Sequence, residues 1–296
     1  MSPPAKQPKA LLFDIGGVCV VSPFQAILDY ELSLGIPPGW VNHSISATSP
    51  NGFWHRLETG SIPMDKDFFD GFCRDLHDET RWKKFYVREA AKHPELLRTK
   101  SGETPAVPNV DAEFLFNEMM RRSTTPDPWM EPALKKLKES GRYILAACSN
   151  TVIFPDGHPL AQPPGKDFLD HPLRGLFDVF VSSAHVGLRK PDPEMYRLTL
   201  KTVDEYARSN AGTERGKALG WAEGVKPEDV VFLDDIGENL KAAKKEGLQT
   251  IKVRLAKTFE AVDELERITG LALAGTHPRT STQAPVSVQR GQRAKI

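Results

Sequence analysis

Short unbroken apolar runs, each closed by polar residues, occur once near the start of the chain and repeatedly through its second half. Ala10–Phe13 runs into Asp14, and Tyr143–Cys148 into Ser149 and Asn150. Asp178–Val181 runs into Ser182 and Ser183, and Val230–Leu233 into Asp234 and Asp235. Thr250–Val253 comes last. A strand wetted on one face alternates apolar and polar residues. Continuous runs of this length suit strands covered on both faces, as in a parallel sheet. Helical patterns lie between them. Glu131–Ser140 carries Ala133, Leu134 and Leu137 and stops at Gly141; Glu194–Tyr206 follows a Pro-Asp-Pro start. Glu238–Glu246 ends at Gly247, and Thr258–Thr269 at Gly270. Strand and helix in regular succession predict an α/β fold, a doubly wound parallel sheet.

The stretch Ser22–Thr125 breaks the alternation. Its patterns are helical, over Phe24–Leu34, Gly52–Thr59, Lys66–His77, Trp82–Lys92 and Ala112–Arg122. This reads as a helical insertion placed after the first strand, with a polar linker at Thr99–Asn109 and with Phe53, Trp54, Trp82 and Phe85 as its core. Pro155–Pro172 and Asn210–Lys217 read as loops. The expected organisation is a core of residues 10–21 and 126–274, a cap of residues 22–125, and flexible ends at 1–9 and 275–296.

Composition narrows the function classes. Of 296 residues, 40% are hydrophobic and 26% charged, the balance of a globular chain rather than a disordered one. No apolar run approaches the ~18 residues of a membrane span. Three cysteines, Cys19, Cys73 and Cys148, are too few and odd in number for a disulfide framework. With no signal-peptide pattern at the polar N-terminus, a reducing, cytoplasmic location is expected. Positive and negative residues number 39 each, so the formal net charge is zero. That balance is uneven: two lysines precede Ala10 and four basic residues follow Ala274, with no acid at either end, so the body between carries −6. Nothing here points to a nucleic-acid partner.

Ligands of open parallel α/β sheets bind beyond the carboxyl ends of the strands. Folding therefore brings Asp14, Ser149, Asn150, Asp234 and Asp235 towards one crevice, and the loop after the third run adds Lys190. Carboxylates can hold Mg²⁺ through hard oxygen ligands. A lysine offsets phosphate charge and a hydroxyl donates to a phosphoryl oxygen. An ionised aspartate can attack phosphorus. The eight histidines show no metal-binding spacing.

Four segments then carry a resemblance. Phe13-Asp-Ile-Gly-Gly-Val18, Ser149-Asn-Thr151, Arg189-Lys-Pro-Asp-Pro-Glu-Met-Tyr196 and Phe232-Leu-Asp-Asp-Ile-Gly-Glu-Asn-Leu240 resemble, in order, the four motifs of the haloacid dehalogenase superfamily. The resemblance spans about residues 10–274, and the helical insertion stands where the family carries its C1 cap. Within the superfamily the chain is most similar to the N-terminal phosphatase domain of soluble epoxide hydrolase. The resemblance implies a hydrolase, with a Mg²⁺-dependent phosphatase acting on a small-molecule phosphate monoester as the leading expectation. It makes Asp14 the nucleophile and a Mg²⁺ ligand. Gly16 would give its backbone carbonyl to the metal, and Asp234 and Asp235 would be the fourth-motif carboxylates. Ser149 and Asn150 would bind the phosphoryl group, and Lys190 would neutralise charge between it and Asp14.

One position departs from the pattern. Many phosphatases of this superfamily carry an aspartate two residues after the nucleophile, as general acid and base; here that residue is Gly16. General acid–base catalysis is typically worth ~10²–10⁴-fold. Two alternatives therefore stay open: a dehalogenase in which Asp14 attacks carbon, and a non-catalytic binding module.

Overall fold

The structure, a computed structural model, describes residues 7–93, 104–161 and 171–281. The chain begins with β1 (Ala10–Phe13). Among the described residues, six helices make up the insertion that follows: α1 (Pro23–Ser33), α2 (Trp40–Ala47), α3 (Phe53–Glu58), α4 (Lys66–Leu76), α5 (Glu79–Lys92) and α6 (Ala112–Arg122). Then come α7 (Met130–Ser140), β2 (Ile144–Ser149), β3 (Val179–Ser182), α8 (Ser183–Val186), α9 (Pro193–Ser209) and α10 (Glu214–Ala218). The chain continues through β4 (Val230–Asp234), α11 (Gly237–Lys245), β5 (Gln249–Lys252) and α12 (Thr258–Thr269). All five strands run parallel, in the order β3-β2-β1-β4-β5. The expected α/β sheet is therefore present, with β1 at its centre.

Strand residues alternate between two buried faces, which is why the runs carry no polar interruptions. Leu11, Phe13, Leu145, Ala147, Val231 and Leu233 pack in one cluster with Leu134 and Leu137 of α7 and Val262 and Leu265 of α12. Ala10, Leu12, Ile144, Ala146, Val230 and Phe232 pack on the other face with Met195, Tyr196 and Val203 of α9 and with Leu240 and Ala243 of α11.

Helices α1–α6 bury a third, separate cluster that is rich in aromatic residues. Trp40 and Trp82 meet edge to face at 5.1 Å, and Phe68 stacks on Phe72 at 5.7 Å. Phe116 lies edge to face with both Phe68 and Trp54. Of the four aromatics expected in this core, Trp54, Trp82 and Phe85 are buried there and Phe53 packs against it. Side-chain caps start most of these helices: Ser22, Asp65, Asp78 and Asp111 each accept a backbone N–H in the first turn.

Two features differ from the expectation. Helix α2 carries no strong apolar period. Its N-terminus is held by Glu31 of α1, whose buried carboxylate accepts from the N–H groups of Gly39 at 2.6 Å and Val41 at 2.8 Å. A cap supplied from another helix leaves no local signal. The described parts of the two ends are also tied to the body. Lys9 N–H donates to Asp229 O at 2.8 Å, and Gln7 Nε2 donates to Ile268 O at 2.9 Å. Trp129 Nε1 donates to Pro278 O at 3.1 Å, and Arg279 pairs with Asp263. Residues 1–6 and 282–296 lie outside the described residues, as do 99–103 of the expected linker and 162–170 of the expected loop. Glu214–Ala218 forms a short helix inside and just past a second expected loop.

Phe116 is fully buried between three aromatic rings. Phe116→Ala is expected to destabilise the helical insertion by about 3–5 kcal/mol. Urea unfolding followed by tryptophan fluorescence checks this, since Trp40, Trp54 and Trp82 all report from the same cluster.

Candidate active site

The sheet register brings the first and fourth motifs together. Phe13 pairs with Ala147 on one side and Leu233 on the other. One residue further on, Asp14 leaves β1 beside the last residue of β4, Asp234, and its N–H donates to Leu233 O at 2.9 Å. Asp14 is 7% exposed. Lys190, from the loop between α8 and α9, reaches into the same place. Its Nζ lies 2.9 Å from Asp14 Oδ1 and 2.7 Å from Asp234 Oδ2, and the residue is only 1% exposed. Ile15 N–H also donates to Asp14 Oδ1, at 2.7 Å.

Asp234 is saturated. Its Oδ1 accepts from Ile236 N–H at 2.7 Å, its Oδ2 from Lys190, and Asn239 Nδ2 lies 3.1 and 3.0 Å from the two oxygens. Tyr196 in turn donates to Asn239 O at 2.9 Å. Asp235 is different. It is partly buried, and no described side chain donates to its carboxylate. Room for it comes from Gly17, which has φ +75° and where a Cβ would collide with Asp235 Oδ2. Only glycine satisfies both the left-handed backbone and that close approach.

Carboxylate oxygens of Asp14, Asp234 and Asp235 all lie within 4.8 Å of one another. Their electrostatics follow from crowding. Burial pushes the Asp14 carboxyl up to about 6; Lys190 opposes the rise and Asp234 adds to it. Burial, followed by repulsion from Asp14 and Asp234, pushes Asp235 up to about 8. Burial alone would lower Lys190, but the two carboxylates beside it hold its ammonium well above the usual lysine range. Lys190 contacts Asp14 and Asp234, whereas Asp235, pushed up further than Asp14, is only partly offset by Lys190 and Lys252. Hard oxygen donors around a deficit of positive charge fit a divalent cation.

Other expected site residues are placed as follows. Ser149 ends β2, buried, and its hydroxyl makes a single contact, 3.5 Å to Asn150 O. The Asn150 side chain is engaged with the backbone of Lys190: its Oδ1 accepts from Lys190 N–H at 2.8 Å, and its Nδ2 donates to Lys190 O at 3.1 Å. One of the two Nδ2 hydrogens stays available for the expected contact with a phosphoryl oxygen. Gly16 sits in the turn after β1, bridged to Val20. Cys19 and Cys148 are fully buried, and burial pushes the Cys148 thiol up to about 11. The motif pattern alone did not mark Glu58 and Arg189 as partners: Arg189 donates to Glu58 Oε2 from Nε at 2.8 Å and from its terminal nitrogen at 2.7 Å. At 131 positions apart, no sequence spacing reveals that pair.

Comparison with known proteins follows the same lines. Residues 8–247 match the haloacid dehalogenase-like hydrolase family. Bifunctional epoxide hydrolase 2 of Sus scrofa is 28% identical over 90% of this chain and 40% of its own length. That of Mus musculus is 37% identical over 87% of this chain and 38% of its own length. The chain thus spans about two fifths of the length of these two relatives. Sesquiterpene phosphatase astK of Aspergillus oryzae is 24% identical over 88% of this chain and 97% of its own length. Among the described residues, no helix is long and apolar enough to cross a membrane. Since the family match takes in all five carboxyl-end residues of the crevice together with Lys190, the chain belongs to the haloacid dehalogenase-like hydrolases.

Proposed function

We propose that the protein is a Mg²⁺-dependent phosphatase that cleaves a small-molecule phosphate monoester through an aspartyl-phosphate on Asp14. The observation that carries this reading is the buried contact of Lys190 with both Asp14 and Asp234, beside the unpaired carboxylate of Asp235. A dehalogenase attacking carbon has no use for two further carboxylates next to its nucleophile, which repel it. A relative named as a phosphatase and matched along nearly all of its length supports the same choice.

In this reading an ionised Asp14 oxygen attacks phosphorus and the bond to the ester oxygen breaks, the leaving group taking the electron pair. Water then attacks the aspartyl-phosphate, releasing inorganic phosphate and restoring Asp14. Lys190 keeps Asp14 ionised and oriented through Oδ1. The Ser149 hydroxyl, otherwise held only by a 3.5 Å contact, donates to a phosphoryl oxygen. Mg²⁺, when bound, supplies positive charge for the transferring group. Asp14, Asp235 and the Gly16 carbonyl would hold it. Asp234 suits the part of orienter better than that of ligand, because both its oxygens already accept hydrogen bonds. Asn150 contributes by fixing the Lys190 peptide.

Phosphate release from nitrophenyl phosphate is expected to require Mg²⁺, to stop on chelation and to fall by about 10³-fold or more in Asp14→Asn. Turnover that survives either change would falsify the reading, and halide release from 2-haloacids without phosphate release would favour the dehalogenase. A second expectation concerns Gly16. A Cβ there would lie 3.5 Å from Pro23 Cδ, an ordinary contact, so the backbone accepts a side chain. Without an acid at this position the leaving group departs unprotonated. Gly16→Asp should therefore raise kcat on alkyl phosphates by about 10²-fold and change aryl phosphates, whose leaving groups need no proton, far less. Equal effects on both substrate types would argue against the missing acid as the limiting feature.

A further inference from the structure

Helix α3 touches the core at three points, and all three converge on the loops that carry the phosphate chemistry. The Glu58 carboxylate, at the end of α3, accepts from Nε and Nη2 of the Arg189 guanidinium and receives a further bond from Trp54. Its backbone carbonyl accepts from Ser183 Oγ at 2.6 Å, and the same Oγ accepts from Thr151 N–H at 2.8 Å. Past the helix, Gly60 has φ +65° and rests so close to Ala184 that a Cβ would collide with the Ala184 carbonyl oxygen. Arg189 immediately precedes Lys190, whose peptide is gripped from the opposite side by Asn150. Glu58 is 8% exposed, and its partner is half-buried, so the pair is shielded from the solvent screening that makes surface pairs weak.

We propose that Glu58 is a positioning residue: through Arg189 it sets the loop that presents Lys190 to Asp14, so that reaction at Asp14 depends on the helical cap being seated on the core. The inference rests on the phosphatase reading for its kinetic consequence and on the Glu58–Arg189 contact for its structural one. A displacement of about 1 Å at a charged catalytic group can lower a rate by about 10²-fold. Arg189 leaves its place when either partner loses its charge, and Lys190 moves with it. Substrate enters in the same way with or without the pair, so the loss falls on kcat rather than on KM.

Glu58→Gln and Arg189→Met, in the full chain, are each expected to lower kcat for nitrophenyl phosphate by about 10- to 100-fold with KM within about twofold. The double variant should be no worse than the weaker single one by more than about twofold, because both remove one link. Arg189→Lys, which keeps the cation, should recover part of the loss. Gly60→Ala, which alters neither charged partner, should lower kcat in the same sense by lifting α3 off Ala184. Amide exchange over Gly187–Asp192 should rise by about tenfold in both single charge variants, while exchange within β1 and β4 stays at the wild-type level. That arm needs no turnover: a wild-type chain that releases no phosphate counts against the phosphatase reading, and raised exchange over Gly187–Asp192 still supports the link. Unchanged exchange in that segment overturns the proposal, as does a kcat within twofold of an active wild type.

Discussion

A lysine ammonium held out of water between two carboxylates is the constraint on which the site is built. Burying such a charge is unfavourable by several kcal/mol unless its partners are well placed. Asp14 and Asp234 meet that condition because neighbouring parallel strands, β1 and β4, end at the same level. The flat ring of Phe232, 5.4 Å from Lys190 Nζ, offers a further favourable surface below it. On the loop side, Asn150 fixes the Lys190 peptide at both its N–H and its C=O. On the strand side, Asn239 and Ile236 N–H fix Asp234. Each support is a neutral donor or acceptor, so the charge balance at the centre is left to the acids and the one lysine.

The sheet and its site were legible in sequence for the same physical reason. A central parallel strand must be apolar throughout, and the first polar residue after it stands at the carboxyl edge. Asp14, Ser149, Asp234 and Asp235 are found by that rule alone, without any knowledge of which strands are neighbours. The rule does not say which way a side chain turns. Asn150 follows Ser149 and reads as a second phosphate contact, yet its amide faces the Lys190 backbone. Helix α2 was missed because its cap, Glu31, comes from α1. Composition alone predicts free ends, because it cannot show that Trp129 Nε1 reaches Pro278 O or that Lys9 aligns with Asp229. What remains hidden is in each case a contact between separate elements, from Glu31 with Gly39, eight positions apart, to Trp129 with Pro278, 149 apart.

The helical insertion has its own aromatic core, separate from both faces of the sheet. Few contacts therefore join it to the core, and those that are directional set its register. Val152 and Phe154, in the loop after β2, pack against its apolar cluster. Glu58 supplies the polar counterpart at α3. Apolar contact of this kind is non-directional and tolerates sliding, whereas a guanidinium fork on one carboxylate oxygen tolerates little. The apolar loop and the ion pair thus join the insertion to the core by two different kinds of contact.

Charge counting sets the order in which the site can work. Asp14, Asp234 and Asp235 with Lys190 carry a formal −2 when all are ionised, within a body that is itself at −6. A phosphate monoester dianion meets repulsion there, and the overall field gives it no help. Lys190 cannot reverse this, since both carboxylates it touches already draw on its charge. The raised position of Asp235 expresses the same deficit: burial and two neighbouring acids favour a proton on it despite Lys190 and Lys252. A divalent cation on Asp14 and Asp235 would bring the formal charge to zero and displace that proton. A phosphate monoester dianion would then meet that cation and the Ser149 hydroxyl instead of three acids. In the proposed phosphatase, a divalent cation would therefore bind before the substrate, and Asp235 rather than Lys190 would couple the two.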